Sequence, residues 1–181
     1  MTEITDIGLS RHIVRLAPHS PKWAEHFEAE KDLLSKNLGP KVLEIRHMGS
    51  TAIPGVPAKP IIDIIAAVRD LPDVENFTST LAKLGYEDKG EAGVTGRRYF
   101  VKGPEEARTP HLNFFELDSD GWNTHIFFCE YLKTHPEAAA EYAALKEKLA
   151  KDFPNNRAAY TAGKESFVNA IVARAKAKDN S

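Results

Sequence analysis

The run Ile-Ile-Asp-Ile-Ile-Ala-Ala-Val at 61–68 constrains this chain more than any other stretch. It is apolar and largely β-branched, interrupted only by Asp63, and predicts a central strand buried on both faces of a sheet. A lone carboxylate inside such a strand costs several kcal/mol unless it is paired or bound to a cation. Asp63 therefore marks either a structural ion pair, with Lys59 or an arginine, or a site.

Helical segments surround this strand in the sequence. Pro21, with Ser20 as the N-cap, opens a helix carrying Trp23, Phe27, Leu34 and Leu38, which Gly39-Pro40 stops. Val42–Arg46 reads as a strand. Residues 48–60 hold three prolines and two glycines and form a shaped loop. Pro72–Leu84 reads as a helix with Val74, Phe77 and Leu81 on one stripe and Gly85 as its C-cap. Arg97–Val101 and His111–Leu117 read as strands, with a tight turn at 118–121 and Asn123–Phe128 continuing as a hairpin. Glu130–Thr134 is a short helix broken by Pro136, which opens a long helix carrying Tyr142, Leu145 and Leu149. A last helix runs from Arg157 to Ala175. Residues 1–11 and 176–181 are expected to be loosely ordered, with a short extended piece at His12–Leu16. The expected class is α/β (α+β): a short mixed sheet of four to six strands flanked by helices, in a single domain over 1–181 with a helical C-terminus.

Composition narrows function by exclusion. One cysteine, Cys129, rules out an intramolecular disulfide framework or a cysteine-cluster metal site. A net charge of −2 gives no global attraction to nucleic acid, and aromatic residues do not interleave with a basic patch. No signal-peptide pattern and no long apolar span appear, so a soluble, cytoplasmic protein without membrane partners is expected. P-loop, dinucleotide-fingerprint and nucleophile-elbow motifs are absent. No feature sets an oligomeric state.

The chemistry concentrates in and around the loop before Asp63. Gly49 lets backbone approach a ligand. Ser50 and Thr51 offer hydroxyl and N–H groups to anionic oxygens, and Lys59 adds a mobile positive charge. His47 braces the loop or joins the site. Strand alternation puts His111, Asn113 and Phe115 on one face and Leu112, Phe114 and Glu116 on the other. Beside the Asp63 strand, either His111 with Asn113, or Glu116, would complete a site. Asp63, His111 and His125 would suit a single Zn²⁺ or Mn²⁺ better than Mg²⁺. Arg97 and Arg98 point to opposite faces, so one can grip a phosphate; Arg97 is the preferred one. Tyr131 and Tyr160 either stack on a base or pack. Lys146 and Lys164 lie on helices and either join the ligand site or belong to a solvated face. Glu130 is a further acid–base candidate.

Gly49-Ser50 followed by Asp63-Ile64-Ile65 resembles the Gly-Ser and Asp-x-Asp/Glu frame of the nucleotidyltransferase superfamily, and more closely its GrpB branch. Trp23 with Phe27, Gly96–Phe100, Pro110-His111-Leu112, Phe128–Leu132 with His135-Pro136, Tyr142 with Leu145-Lys146, and Tyr160 with Lys164 extend the resemblance over residues 12–172. It implies a nucleotidyltransferase-like core and metal-dependent nucleotidyl or phosphoryl transfer on a small molecule from a nucleoside triphosphate. In that scheme Gly49, Ser50 and Thr51 cradle phosphate and Asp63 holds the divalent cation. Lys59 and Arg97 neutralise charge, and His111 or Glu130 moves protons. Three positions depart from the pattern. Ile65 stands where the second carboxylate belongs, Asn113 where histidine is usual, and Cys129-Glu130 where Arg-Asp is usual. The missing carboxylate at Ile65 favours a binding module for a nucleotide or other phosphorylated metabolite without turnover; a single-metal enzyme of another class is the third alternative.

Overall fold

A computed structural model describes residues 7–10 and 13–179. Helix α1 spans Lys22–Leu38 and buries Trp23, Phe27, Leu34 and Leu38, as their spacing predicts. Its N-cap is Pro21, not Ser20. The Ser20 side chain makes no cap, and its carbonyl accepts from the Trp23 amide instead (3.1 Å). Strand β1 (Val42–Met48) follows, then a single 3₁₀ turn at Ser50–Ala52, then β2 (Asp63–Val68). Helix α2 (Thr78–Lys83) precedes β3 (Tyr86–Asp88), β4 (Arg98–Lys102) and β5 (His111–Glu116). The chain closes with α3 (Asp120–Thr134), α4 (Pro136–Asp152), α5 (Arg157–Ala162) and α6 (Glu165–Asp179).

Among the described residues the sheet has five strands, in the order β1-β2-β5-β4-β3. Only β2 and β5 run parallel; the other pairs are antiparallel. Strand β2 lies between β1 and β5, and Ile64 through Val68 are buried. Ile64, Ala66 and Val68 pack with Leu112, Phe114 and α1 on one face. Ile65 and Ala67 pack with Met48, Phe115, and residues of α3, α4 and α6 on the other. Apolar side chains on both sides of one strand thus demand a helical layer on each side. No helix among the described residues is long and apolar enough to cross a membrane.

Several local expectations are corrected. Asn123–Phe128 is helical, not a hairpin strand, and Glu130–Thr134 is the end of the same helix. Ser119 caps it by accepting from the Trp122 amide, and Trp122, Cys129 and Leu132 form its buried face. The apolar run there imitates a strand because part of it packs on the core through a helical stripe. Residues 71–77 are 3₁₀ rather than α, so only Thr78–Lys83 completes the expected helix. The last helix is two, separated at Gly163-Lys164. Gly163 lies so close to α4 that a Cβ there would come within 2.5 Å of Leu149 Cδ2. Near the N-terminus, Leu9 is buried, and the Gly8 amide bonds the Pro60 carbonyl (2.7 Å). Residues 13–16 form no strand, and His12 lies outside the described residues. Helix α6 continues through Lys176 to Asp179, while residues 180 and 181 fall outside the description.

Candidate functional site

Sheet register builds the site. Antiparallel pairing sets Met48, at the end of β1, opposite Asp63, at the start of β2. Parallel pairing sets Asp63 opposite His111. The chain leaves β1 through Gly49 at φ 70 and ψ −170, a conformation essentially reserved for glycine. A Cβ on Gly49 would stand 2.7 Å from Asp63 Oδ2, so the loop and the carboxylate are in contact because the side chain is missing. His111 Nδ1 lies 3.3 Å from Asp63 Oδ1. Burial opposes ionisation of Asp63, but the His111 hydrogen bond and charge, with Lys59 and Lys164, outweigh it and hold the carboxyl below its ordinary range.

These groups line a cavity of about 140 Å³. Gly49, Ser50, Thr51, Lys59, Asp63 and His111 come from the sheet side, and Tyr142, Lys146, Arg157, Tyr160 and Lys164 from α4, α5 and the turn before α6. Three lysines and an arginine therefore face one carboxylate. Lys146 is almost wholly buried, and its Nζ donates to the Pro57 carbonyl (2.5 Å). Burial, then the charges of Lys164 and Lys59, push Lys146 down to about 6. Burial, then Arg157 and Lys164, push Lys59 down to about 7. Burial also lowers Lys164. The Lys59 and Lys164 ammonium groups lie 5.4 and 4.6 Å from the Tyr160 ring centre. The Tyr160 hydroxyl is buried and has no hydrogen-bond partner. Beyond His111 and Arg157, which line both spaces, a wider cleft of about 1100 Å³ opens between Tyr99 and Arg108 on one side and Asn156 and Ala158 on the other.

Of the residues singled out in the sequence, Gly49, Ser50, Thr51, Lys59, Asp63, His111, Lys146 and Lys164 meet here. Thr51 is committed to the protein, however: its hydroxyl bonds His47 Nε2 (2.9 Å) and donates to the Ile61 carbonyl. The others are elsewhere. Arg97 is on the Asp63 face of the sheet but lies over the Tyr99 ring and donates to the Asn113 side-chain carbonyl and to loop carbonyls. Asn113 is buried and donates to the Ile64 carbonyl. Arg98 faces the opposite side and is tied to Asp88 and Glu75. Glu130 pairs with Lys133, and Tyr131 stacks on His135, both away from the cavity. Arg157 was missed: it reads as an ordinary first residue of a helix, and only the fold turns it inward. Tyr142 and Tyr160, read mainly as packing residues, line the cavity as well.

Of the four residues read as metal ligands, Asp63 and His111 come together in the cavity and His125 and Glu116 do not join them. Ile65 is buried among apolar side chains where a second carboxylate would stand. His125 Nδ1 is bonded to the Gly121 carbonyl (2.8 Å) and its ring packs on Phe115. Glu116 lies at the far end of β5, on the other face, and accepts from the Leu71 amide (3.0 Å). Among the described residues no group of three or more His, Cys, Asp or Glu side chains is placed to hold a metal ion.

A profile of the GrpB protein family matches residues 13–174. The chain belongs to the GrpB family. It is 40% identical over 163 residues to the UPF0157 protein YqkA of Bacillus subtilis, covering 90% of this chain and 47% of that protein. It is 38% identical over 170 residues to the Glutamate-rich protein GrpB of Alkalihalophilus pseudofirmus, covering 92% and 98%. A Dephospho-CoA kinase of Mycolicibacterium paratuberculosis is 28% identical over 92% of this chain and 47% of its own length. The chain thus spans about half of YqkA and of that kinase, and nearly all of the Alkalihalophilus GrpB. The crystal structure of GrpB from Enterococcus faecalis matches with a TM-score of 0.86 at 34% identity, over 92% of this chain and all of that one. The Cid1 poly(U) polymerase, solved with MgATP, matches at 0.52 and 17% identity over 74% of this chain and 44% of that one. The second likeness shows the nucleotidyltransferase-like fold that the Gly49-Ser50 and Asp63 frame implies.

Proposed function

We propose that this GrpB protein binds a phosphorylated small molecule, a nucleotide first among the candidates, with its terminal phosphate in the cation-lined cavity. The observation that carries the reading is the set Lys59, Lys146, Lys164 and Arg157 around a small cavity with a single carboxylate. Burial and mutual repulsion loosen these lysines' hold on their protons, and a bound anion would favour their charged forms. Tyr160 supports it: a buried hydroxyl without a partner is costly, and a phosphate oxygen would accept from it. The cavity has room for a phosphate group, and the cleft past His111 and Arg157 has room for the rest of the ligand. Charge neutralisation in this reading comes from lysine and arginine.

Group transfer is the second reading, favoured by the Asp63–His111 contact. His111 stands where the cavity meets the cleft, with a carboxylate at Nδ1 to orient its ring. That is the form of a general base for an acceptor hydroxyl lying in the cleft.

Calorimetric titration with ATP, dephospho-CoA, adenosine and inorganic phosphate, each with and without Mg²⁺, Mn²⁺ or Zn²⁺, tests both readings. Dephospho-CoA is included because relatives that share this region carry the name Dephospho-CoA kinase. The phosphorylated compounds should bind, adenosine should not, and Lys146→Met should weaken binding at least tenfold. Absence of binding by every phosphorylated compound, or an unaltered Lys146→Met, overturns the proposal. A phosphorylated or nucleotidylated acceptor formed with release of ADP or pyrophosphate, and lost in His111→Gln, would establish transfer.

A further inference from the structure

Strand β1 is an edge of the sheet, and no strand among the described residues pairs with its outer side. A groove of about 710 Å³ runs along that edge, with β1 as its floor. Glu28 and Lys31 of α1 line one wall, and Glu130 and Lys133 of α3 the other. An open edge of this kind is a template for another strand.

The charges on β1 indicate which strand. Glu44 and Arg46 project on the same face of the sheet, flanking Ile45, and contact each other at 2.5 Å while each remains about 40% exposed (41% for Arg46, 38% for Glu44). An antiparallel copy of β1 placed about a two-fold axis at Ile45 would set Glu44 against Arg46 of the second chain, and Arg46 against its Glu44. Leu43, 46% exposed, lies at the register break between Val42 and Glu44, so the regular pairing runs over Glu44–Arg46. The same axis runs each flanking helix antiparallel to its own copy. Each wall carries an acid and a base three residues apart, Glu28 with Lys31 and Glu130 with Lys133. A parallel copy in register would instead set like charges side by side, so the pattern selects the antiparallel, self-complementary arrangement.

We propose that β1 is a homodimer interface: it pairs antiparallel with β1 of a second copy, centred on Ile45, and joins two five-stranded sheets into one of ten strands. The inference is independent of the anion-site reading, since neither Glu44 nor Arg46 lines that cavity.

Sedimentation velocity over a concentration series tests it, with circular dichroism as the check on folding. The wild type should show a monomer–dimer equilibrium. Glu44→Arg and Arg46→Glu should each weaken self-association about tenfold, because two symmetry-related pairs become like-charged. An equimolar mixture of the two variants should regain wild-type association, since every facing pair in the mixed dimer then joins a carboxylate to a guanidinium. A wild type that stays monomeric into the hundreds of micromolar overturns the proposal. So do a dimer insensitive to both substitutions and a mixture no tighter than either variant alone.

Discussion

Gly49 and Asp63 are in contact through an absent side chain: a Cβ at Gly49 would lie 2.7 Å from Asp63 Oδ2. The loop that leaves β1 therefore rests on the one carboxylate of the cavity, and the backbone at φ 70 makes that approach available. Gly49→Ala should fail on both counts. The backbone conformation alone costs about 1–3 kcal/mol for a non-glycine residue, which lowers the melting temperature by several degrees in a chain of this size. Displacement of Asp63 should also weaken phosphate binding. Calorimetry and a melting curve on the same sample check the two effects separately.

Tyr160→Phe should separate stability from binding in the opposite sense. Its hydroxyl is buried without a partner, so removing it should leave the melting temperature of the free protein unchanged or raise it slightly. Phosphate binding should weaken about three- to tenfold, the value of one hydrogen bond of about 0.5–1.5 kcal/mol. Equal affinity in the variant would show that the hydroxyl does not meet the ligand.

The lysines make both stability and binding depend on pH. Lys146 at about 6 and Lys59 at about 7 hold their protons less tightly in the folded chain than in the unfolded one, where lysine titrates near about 10.4. Between those values the unfolded state carries more protons, so the stability of the ligand-free protein should rise from pH 7 to pH 9. A bound anion favours the charged ammonium, so binding should take up protons and weaken over the same range. Melting curves against pH, and titrations in buffers of different ionisation enthalpy, measure the two. Lys146→Met should flatten both profiles.

Ile65→Asp should destabilise the protein and create no metal site. Ile65 is 1% exposed and packs with Met48 and Phe115. An unpaired buried carboxylate there should cost about 3–5 kcal/mol. A melting temperature restored by millimolar Mg²⁺ would contradict this.

Arg98→Ala should affect stability alone. Arg98 joins Asp88 of β3 and Glu75 on the face opposite the cavity. A loss of about 1 kcal/mol is expected, a few degrees in the melting temperature, with phosphate affinity unchanged.

Much of this molecule is legible in the sequence wherever one residue's chemistry conflicts with its local pattern. Asp63 in an apolar strand, Gly49-Ser50 at a strand end and the prolines that follow announce both the central strand and the loop beside it. The stripe of Trp23, Phe27, Leu34 and Leu38 announces α1. Local patterns mislead where a short apolar run suits two periodicities: Asn123–Phe128 reads as a strand, yet Ser119 caps a helix through it.

The sequence by itself determined the two-faced central strand, the helices that cover it and the carboxylate set within it, because burial preference and backbone conformation are properties of neighbouring residues. Only the tertiary structure decided which charges share a space. Lys59, Lys146, Lys164 and Arg157 come from separate places in the chain; the three lysines are candidates from the sequence, but Arg157 reads as an ordinary helix residue and no local pattern sets the four in one space. Strand register put His111 against Asp63, sent Arg98 to the other face and placed Glu116 at the far end. The packing of α4, α5 and the turn at Gly163 then closed the cations over the loop. Such long-range juxtapositions depend on how strands pair and helices pack, and no spacing along the chain encodes them.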